Sequence, residues 1–148
     1  MACAQLNMKI SDLSYLLTPL LAWLITGITK FLINSIKANR LAFDLIGYGG
    51  MPSNHSAIVS SMAALIGFKE GISHPAFGAA LTLAFVVILD ANSLRRQVGK
   101  HATEINQLNV NNTNFIPLRE RVGHTRLEII AGISVGIVVA GLMKILEN

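Results

Sequence analysis

Four blocks of apolar residues dominate this 148-residue sequence, and nearly all of its charges lie between the blocks or at their ends. A helix that crosses the hydrocarbon core of a bilayer needs about 20 apolar residues, and its backbone must satisfy its own hydrogen bonds. The pattern therefore predicts an all-α integral membrane protein, a bundle of about four transmembrane helices. The blocks are Leu13–Ile36, Ala57–Phe68, Ala76–Leu89 and Ile129–Leu146.

The composition also favours a membrane protein over a soluble domain. Hydrophobic residues make up 52% of the chain and charged residues 14%, which is too apolar for a soluble domain of this length. We expect one membrane-embedded domain over residues 1–148. The net charge of +4 does not indicate nucleic-acid binding, because no basic face with aromatic readers is visible. The single cysteine, Cys3, excludes an internal disulfide, and the segment Met1–Ile10 lacks the pattern of a cleaved signal peptide.

The basic residues predict how the chain lies in the membrane. Four spans put both termini on one side and the segments 37–52 and 91–127 on the other. Nine of the twelve lysines and arginines then lie on the side of those two segments, counting Lys30, which can snorkel out of the first block. The three that lie elsewhere are Lys9, Lys69 and Lys144. The positive-inside rule makes the basic side cytoplasmic.

The connectors contain turn-forming and polar residues. The first carries Asp44 and the pair Gly49-Gly50 before Met51 and Pro52, which predicts a turn and then a helix start. After the third block, the stretch Asn106–Asn114 holds five asparagines and no apolar periodicity, which predicts a mobile loop.

The first histidine of interest stands at the start of the second block, in Met51-Pro52-Ser53-Asn54-His55-Ser56. Ser53 is a good N-cap, and a helix start offers free N–H groups and a positive dipole end to a phosphate. His55 would then be placed to give a proton to a departing oxygen. The alternative is that Ser53 only caps the helix and His55 only lies at the headgroup level.

A second histidine precedes the last block. His124 and Glu128 are four residues apart, so on a helix they would share one face. A carboxylate there could accept the N–H of one ring nitrogen and leave the other nitrogen free to attack. As an isolated pair, the same spacing also fits an ordinary surface interaction.

Cations near the ends of the blocks complete the candidate site. Arg95 and Arg96 follow the third block beside Asp90, and guanidinium groups bind phosphate oxygens bidentately. Phosphoryl transfer is catalysed chiefly by positioning and by such cations. Lys30 and Arg40 are the other candidates, and Lys30 is notable because a charge inside an apolar block needs a partner or a cavity. Positive-inside flanking and snorkelling are the competing explanations for these charges.

The combination of these elements resembles the type 2 phosphatidic acid phosphatase superfamily, whose pattern is a lysine and arginine element, then P-S-G-H, then S-R-x5-H-x3-D. The stretches GGMPSNHSA, DANSLRRQVGKHA and GHTRLEIIAG look like its small divergent branch, related to acid phosphatases and vanadium-dependent haloperoxidases. The resemblance implies that His124 is the nucleophile that becomes phosphohistidine, that Glu128 orients it and that His55 protonates the leaving group. It also implies that the phosphate is held by Ser53 with nearby backbone amides, by Arg95 or Arg96, and by Lys30 or Arg40.

The sequence departs from the superfamily pattern at three points. Asn54 replaces a glycine, Glu128 replaces an aspartate, and the asparagine-rich stretch separates the arginine from the histidine of the third element. Arg95 and His101 keep the six-residue offset, which makes His101 a rival nucleophile. The residue four positions after His101 is an isoleucine, whereas Glu128 is correctly placed to orient His124. We therefore expect His124 to be the nucleophile.

The resemblance implies a metal-independent lipid phosphatase with its active site at one membrane interface and no cofactor. No Asp/Glu/His cluster in the sequence supplies the carboxylates of a magnesium site. The substrate is left open between phosphatidylglycerophosphate, phosphatidic acid and an isoprenyl diphosphate. A catalytically inactive membrane scaffold and a small transporter of the same fold remain alternatives, although a transporter would need charges near the middle of its spans. Whether the chain forms a homo-oligomer is also left open.

Overall fold

The computed structural model describes residues 10–41, 43 and 50–147, and its regular elements are helices. A π-helical turn, Asp90–Leu94, joins the third helix to the fourth. The features noted above at Cys3, at Lys9 and at residues 44–49 lie outside the described residues. The helices are α1 (Ile10–Ala38), α2 (Asn54–Lys69), α3 (Pro75–Leu89), α4 (Arg95–Leu108) and α5 (Arg126–Leu146).

The predicted membrane helical bundle is confirmed, with one refinement. The four apolar blocks correspond to α1, α2, α3 and α5. Three helical stretches are long and apolar enough to cross a membrane: Leu13–Ala38, Pro75–Leu108 and Arg126–Leu146. With 16 residues, α2 is only about 24 Å long, less than the ~30 Å of a hydrocarbon core. It packs against α1, α3 and α5, so the short helix occupies the middle of the bundle.

The contact between α2 and α5 is the most extensive between the described helices. A Cβ atom added at Gly132 would lie 2.4 Å from the carbonyl oxygen of Ser53, and one added at Gly136 would lie 2.5 Å from that of Ala57. Such close backbone approach is what small residues permit between membrane helices. The backbones of α2 and α5 are therefore closely packed at these two glycines. Gly141, by contrast, has open space beside it.

Contacts between helix ends establish the directions of the helices. The Ser53 N–H donates to the Glu128 carbonyl at 2.9 Å, so α2 and α5 begin at the same end, called here the histidine end. At the opposite end, called here the far end, Lys69 contacts Ser14 near the start of α1 and Glu147 just after α5. α1 therefore runs antiparallel to α2 and α5, and both ends of the described chain lie at the far end.

The segment after α3 is helical where we predicted a loop. α4 continues to Leu108, so the first three residues of the stretch Asn106–Asn114 are helical and the loop prediction is wrong for them. The Asn106 amide donates to the Leu118 carbonyl at 2.8 Å and accepts from the Leu118 N–H at 2.7 Å. These bonds attach the returning chain to α4, a tertiary contact that the local polar composition did not reveal.

Candidate functional site

A capping box at the start of α5 brings Glu128 to His124. Thr125 is the N-cap, its hydroxyl accepts from the Glu128 N–H at 3.3 Å, and Glu128 Oε2 accepts from the Thr125 N–H at 2.9 Å. The same Oε2 lies 3.2 Å from His124 Nδ1. The predicted contact is present, but not through a shared helix face, since His124 precedes the helix. The T-x-x-E pattern at 125–128 was the sequence signal that we missed.

This contact fixes the state of the His124 ring. Both side chains are buried, with 7% of His124 and 8% of Glu128 exposed. An ionised carboxylate can only accept, so Nδ1 carries the hydrogen and Nε2 keeps its lone pair. Burial lowers the pKa of His124 below its usual value, an effect that the hydrogen bond donated to Glu128 partly opposes. The ring is therefore neutral at pH 7 and carries an available nitrogen, as a nucleophile requires.

The backbone of His124 is held by the π-helical turn. The Arg95 N–H bonds to the Asp90 carbonyl, five residues back, and not to the Ala91 carbonyl as in an α-helix. The Ala91 carbonyl accepts instead from the His124 N–H at 3.0 Å. Gly123 makes this approach possible, since its φ of +95° lies in the left-handed region and a Cβ atom there would lie only 3.3 Å from the Ala91 carbonyl oxygen. π-Turns within helices occur frequently at functional sites.

His55 faces His124 from the first turn of α2. The predicted N-cap is confirmed, because Ser53 Oγ accepts from the Ser56 N–H at 3.4 Å. The centroids of the His55 and His124 rings are 6.2 Å apart. His55 Nε2 lies 3.4 Å from Arg95 Nη2, and since arginine only donates, Nε2 is the acceptor. His55 Nδ1 is buried and has no hydrogen-bond partner within the described part of the chain.

The two adjacent arginines differ in their surroundings. Arg95 is partly buried, its Nε lies 3.0 Å from Asp90 Oδ2, and its Nη2 faces His55. Arg96 is exposed, and its guanidinium makes no hydrogen bond or ion pair with the groups around His55 and His124 within residues 50–147. The structure therefore brings Arg95, and not Arg96, to the histidines.

The two other predicted cations, in α1 and just after it, also differ in their surroundings. Lys30 is partly buried and lies close enough to Glu128 and to both histidines to act on them electrostatically. Arg40 is exposed just beyond the end of α1. Its N–H donates to the Ser35 carbonyl at 3.2 Å, closing the helix in the way that a C-terminal cap does.

The two other predicted residues, Ser53 and His101, differ in burial. Ser53 is fully buried, and its hydroxyl is engaged by Ser56, whose Oγ donates to it at 3.0 Å. His101 is exposed on α4 and has no carboxylate partner among residues 50–147. No group of three or more His, Cys, Asp or Glu residues in the described chain is arranged to hold a metal ion.

The histidine end thus presents two imidazoles, one of them held by a carboxylate, with two cations beside them. This arrangement can bind a dianion and transfer protons and a phosphoryl group. Asp90 was not predicted as part of it. Its signal is weak in sequence, because residues five apart do not meet on an ordinary α-helix, and only the π-helical turn brings Asp90 to Arg95.

Comparison with known proteins places these residues within a matched region. The model of the divergent PAP2 family matches residues 12–139. The chain is 29% identical over 139 residues to the uncharacterized membrane protein YuiD of Bacillus subtilis (strain 168), an alignment that covers 82% of this chain and 88% of that protein. No solved structure matches the chain significantly.

Proposed function

The chain belongs to the divergent PAP2 family, and from this premise we propose that it is an integral membrane phosphatase that removes phosphate from a lipid headgroup without a metal. The observation that carries the proposal is the pair of imidazoles 6.2 Å apart, of which one is oriented by a buried carboxylate. We further propose that residues 1–148 form a single phosphatase-like domain and that the histidine end faces the cytoplasm.

In the first step, His124 Nε2 attacks the phosphorus in line with the leaving oxygen. The N–P bond forms, the P–O bond to the lipid alcohol breaks, and protonated His55 gives its proton to the departing alkoxide. In the second step, water attacks the phosphohistidine while His55 takes a proton from it. The N–P bond breaks, inorganic phosphate leaves, and both histidines return to their starting states. Glu128 steadies the positive charge on the His124 ring throughout.

The spacing of the rings supports this assignment of roles. Reacting atoms in a near-attack geometry are about 3–3.5 Å apart, and an acid lies about 2.6–3.2 Å from the oxygen that it protonates. The ring centroids of His55 and His124 are 6.2 Å apart, so in this proposal both rings reach one phosphoryl group bound beside them.

The cations supply the charge that the phosphate requires. Arg95 and Lys30 bind the phosphate oxygens in this proposal, together with the N–H groups at the start of α2. Arg95 leaves His55 Nε2 when its N–H groups turn to the phosphate, which lets His55 carry a proton there. In this proposal Ser53 positions the start of α2, and neither Arg96 nor Arg40 contacts the phosphate.

The substrate in this proposal is a phosphomonoester or a diphosphate attached to a lipid. A site at the end of a membrane bundle meets headgroups without extracting the lipid from the bilayer. Phosphatidylglycerophosphate, phosphatidic acid and isoprenyl diphosphates share this chemistry, and activity towards each has to be measured separately.

The test is phosphate release from a panel of these lipids, in detergent with chelator, by the wild type, His124→Ala and the matched control His101→Ala. We expect the wild type and His101→Ala to release phosphate and His124→Ala to be inactive. Inactivity of the wild type on every lipid would favour the inactive scaffold. A requirement for magnesium would contradict the metal-independent mechanism.

A further inference from the structure

Asp90 and Arg95 form an ion pair that contributes little to folding. The Arg95 Nε and Asp90 Oδ2 atoms are 3.0 Å apart, and 38% and 36% of the two side chains are exposed. Ion pairs this open to solvent stabilise a protein only slightly, since water screens them and ordering the side chains costs entropy. We therefore expect the ion pair to act by orienting the Arg95 guanidinium.

The bonds of Arg95 define that orientation. A guanidinium has five N–H donors in a fixed plane. Asp90 takes the one on Nε, and His55 takes one on Nη2. Three N–H groups, two on Nη1 and one on Nη2, make no other hydrogen bond within the described residues. They form the free edge of the guanidinium, where two adjacent N–H groups can bind two phosphate oxygens at once. A carboxylate on Nε thus directs the free edge of Arg95 away from Asp90 and towards the histidines.

The π-helical turn accounts for this geometry. Asp90 and Arg95 are the first residue of the turn and the residue after it. The widened turn brings these side chains together, although they are five residues apart. The same turn provides the Ala91 carbonyl that holds the His124 N–H. The π-helical turn therefore determines the positions of both the Arg95 guanidinium and the His124 imidazole.

We propose that Asp90 is a positioning residue, which holds Arg95 Nε in place while the Nη groups of the guanidinium turn from His55 to the phosphate. The catalytic part of this inference rests on the proposed phosphatase function. The holding of Arg95 by Asp90 does not, and it can be measured on the purified protein without substrate.

The first measurement is the rate at which phenylglyoxal modifies Arg95, relative to the adjacent Arg96, followed by mass spectrometry of the full-length protein in detergent. Asp90→Asn keeps the shape but loses the charge, and Asp90→Ala loses both. The ratio of modification at Arg95 to that at Arg96 should rise several-fold, more for alanine than for asparagine. The control Ser93→Ala lies in the same turn, where its hydroxyl donates to the Leu89 carbonyl at 2.7 Å, and should leave the ratio unchanged. An unchanged ratio in both Asp90 variants overturns the proposal.

The second measurement separates this inference from the proposed function. If the wild type hydrolyses a lipid phosphate, Asp90→Asn should lower kcat by up to about 100-fold, the scale of a small misplacement of a catalytic group, and change KM much less. A rise in KM at constant kcat would show that Asp90 affects only binding and would overturn its positioning role. If the wild type hydrolyses none of the lipids, the proposed function fails, and the modification ratio alone decides whether Asp90 holds Arg95.

Discussion

The two ends of the bundle use their charges differently. At the far end, Lys69 Nζ lies 2.9 Å from Glu147 Oε2, donates to Ser14 Oγ at 2.9 Å and lies 4.5 Å from the centroid of the Tyr15 ring. These contacts join α1, α2 and α5. Both members of the ion pair are well covered, with 14% and 5% of their side chains exposed. At the far end, therefore, the charged side chains hold the helices together.

At the histidine end, several N–H donors and ring nitrogens make no hydrogen bond within the described residues. Within the described residues, three N–H donors of Arg95 have no partner beyond its bonds to Asp90 and His55, and His55 Nδ1 has no partner either. His124 is bonded to Glu128 through Nδ1, which leaves Nε2 available. Changes at this end should act mainly on activity, and changes at the far end should act mainly on stability.

The largest effect on activity is expected at His124. Removal of the ring in His124→Ala leaves no nitrogen to form the covalent intermediate, so phosphate release should fall to the level of protein-free detergent. The melting temperature should fall as well, because His124 is buried and its loss leaves the covered Glu128 carboxylate without that donor, so turnover is compared for the folded proteins. The matched variant His101→Ala should keep near-normal turnover, and the opposite pattern would transfer the nucleophile role to His101.

The next largest effect is expected at His55 and should depend on the leaving group. A general acid contributes about 10²- to 10⁴-fold, so His55→Ala should slow hydrolysis of a lipid ester by a factor in that range. An aryl phosphate, whose leaving group needs no proton, should recover part of the rate. An equal loss on both substrates would argue that His55 has a structural role.

A smaller effect is expected on the pH profile. Burial lowers the pKa of His124, so the ring stays neutral below its usual pKa of about 6.5 and the acid limb of kcat/KM should lie below that pH. Glu128 favours the charged ring, so Glu128→Gln should lower this pKa further and move the limb to still lower pH, with a reduced plateau. Use of one substrate for both proteins cancels the titration of the substrate. A limb that moves to higher pH would contradict the assignment.

The smallest effect on turnover is expected at the far end. Lys69→Met leaves the Glu147 carboxylate covered and without its cation, a type of change that can cost up to about 3–5 kcal/mol. The melting temperature should fall, while kcat/KM of the surviving folded protein should stay close to that of the wild type. The double variant Lys69→Met/Glu147→Gln should recover part of the lost stability. A large loss of kcat/KM without a fall in melting temperature would break the distinction between the two ends.

The sequence predicted the features that depend on local pattern. Apolar blocks gave the positions of α1, α2, α3 and α5, because the bilayer selects long apolar runs wherever they occur. The N-cap at Ser53 was also predictable, because an N-cap depends on a few adjacent residues.

Features that depend on distant contacts were not predictable in the same way. The polar α4 helix has no apolar block, and it is joined to the returning chain through Asn106 and Leu118. The role of Asp90 depends on a π-helical turn, and that of Ala91 depends on the approach of His124 from another segment. The contact of His124 with Glu128 was predicted from spacing, although the capping box at Thr125 is what produces it.

We expect a phosphoryl group to be transferred to His124, so the decisive measurement identifies the residue that carries this group during turnover. The protein would be mixed in detergent and chelator with a lipid phosphate, quenched rapidly in alkali, which preserves phosphohistidine, and digested for mass spectrometry. The account predicts a phosphoryl group on His124 that acid removes, that is absent from His124→Ala, and that accumulates when the second step is slowed in His55→Ala with an aryl phosphate. A phosphoryl group on His101 or His55, or turnover with no phosphorylated histidine in any of these proteins, would contradict it.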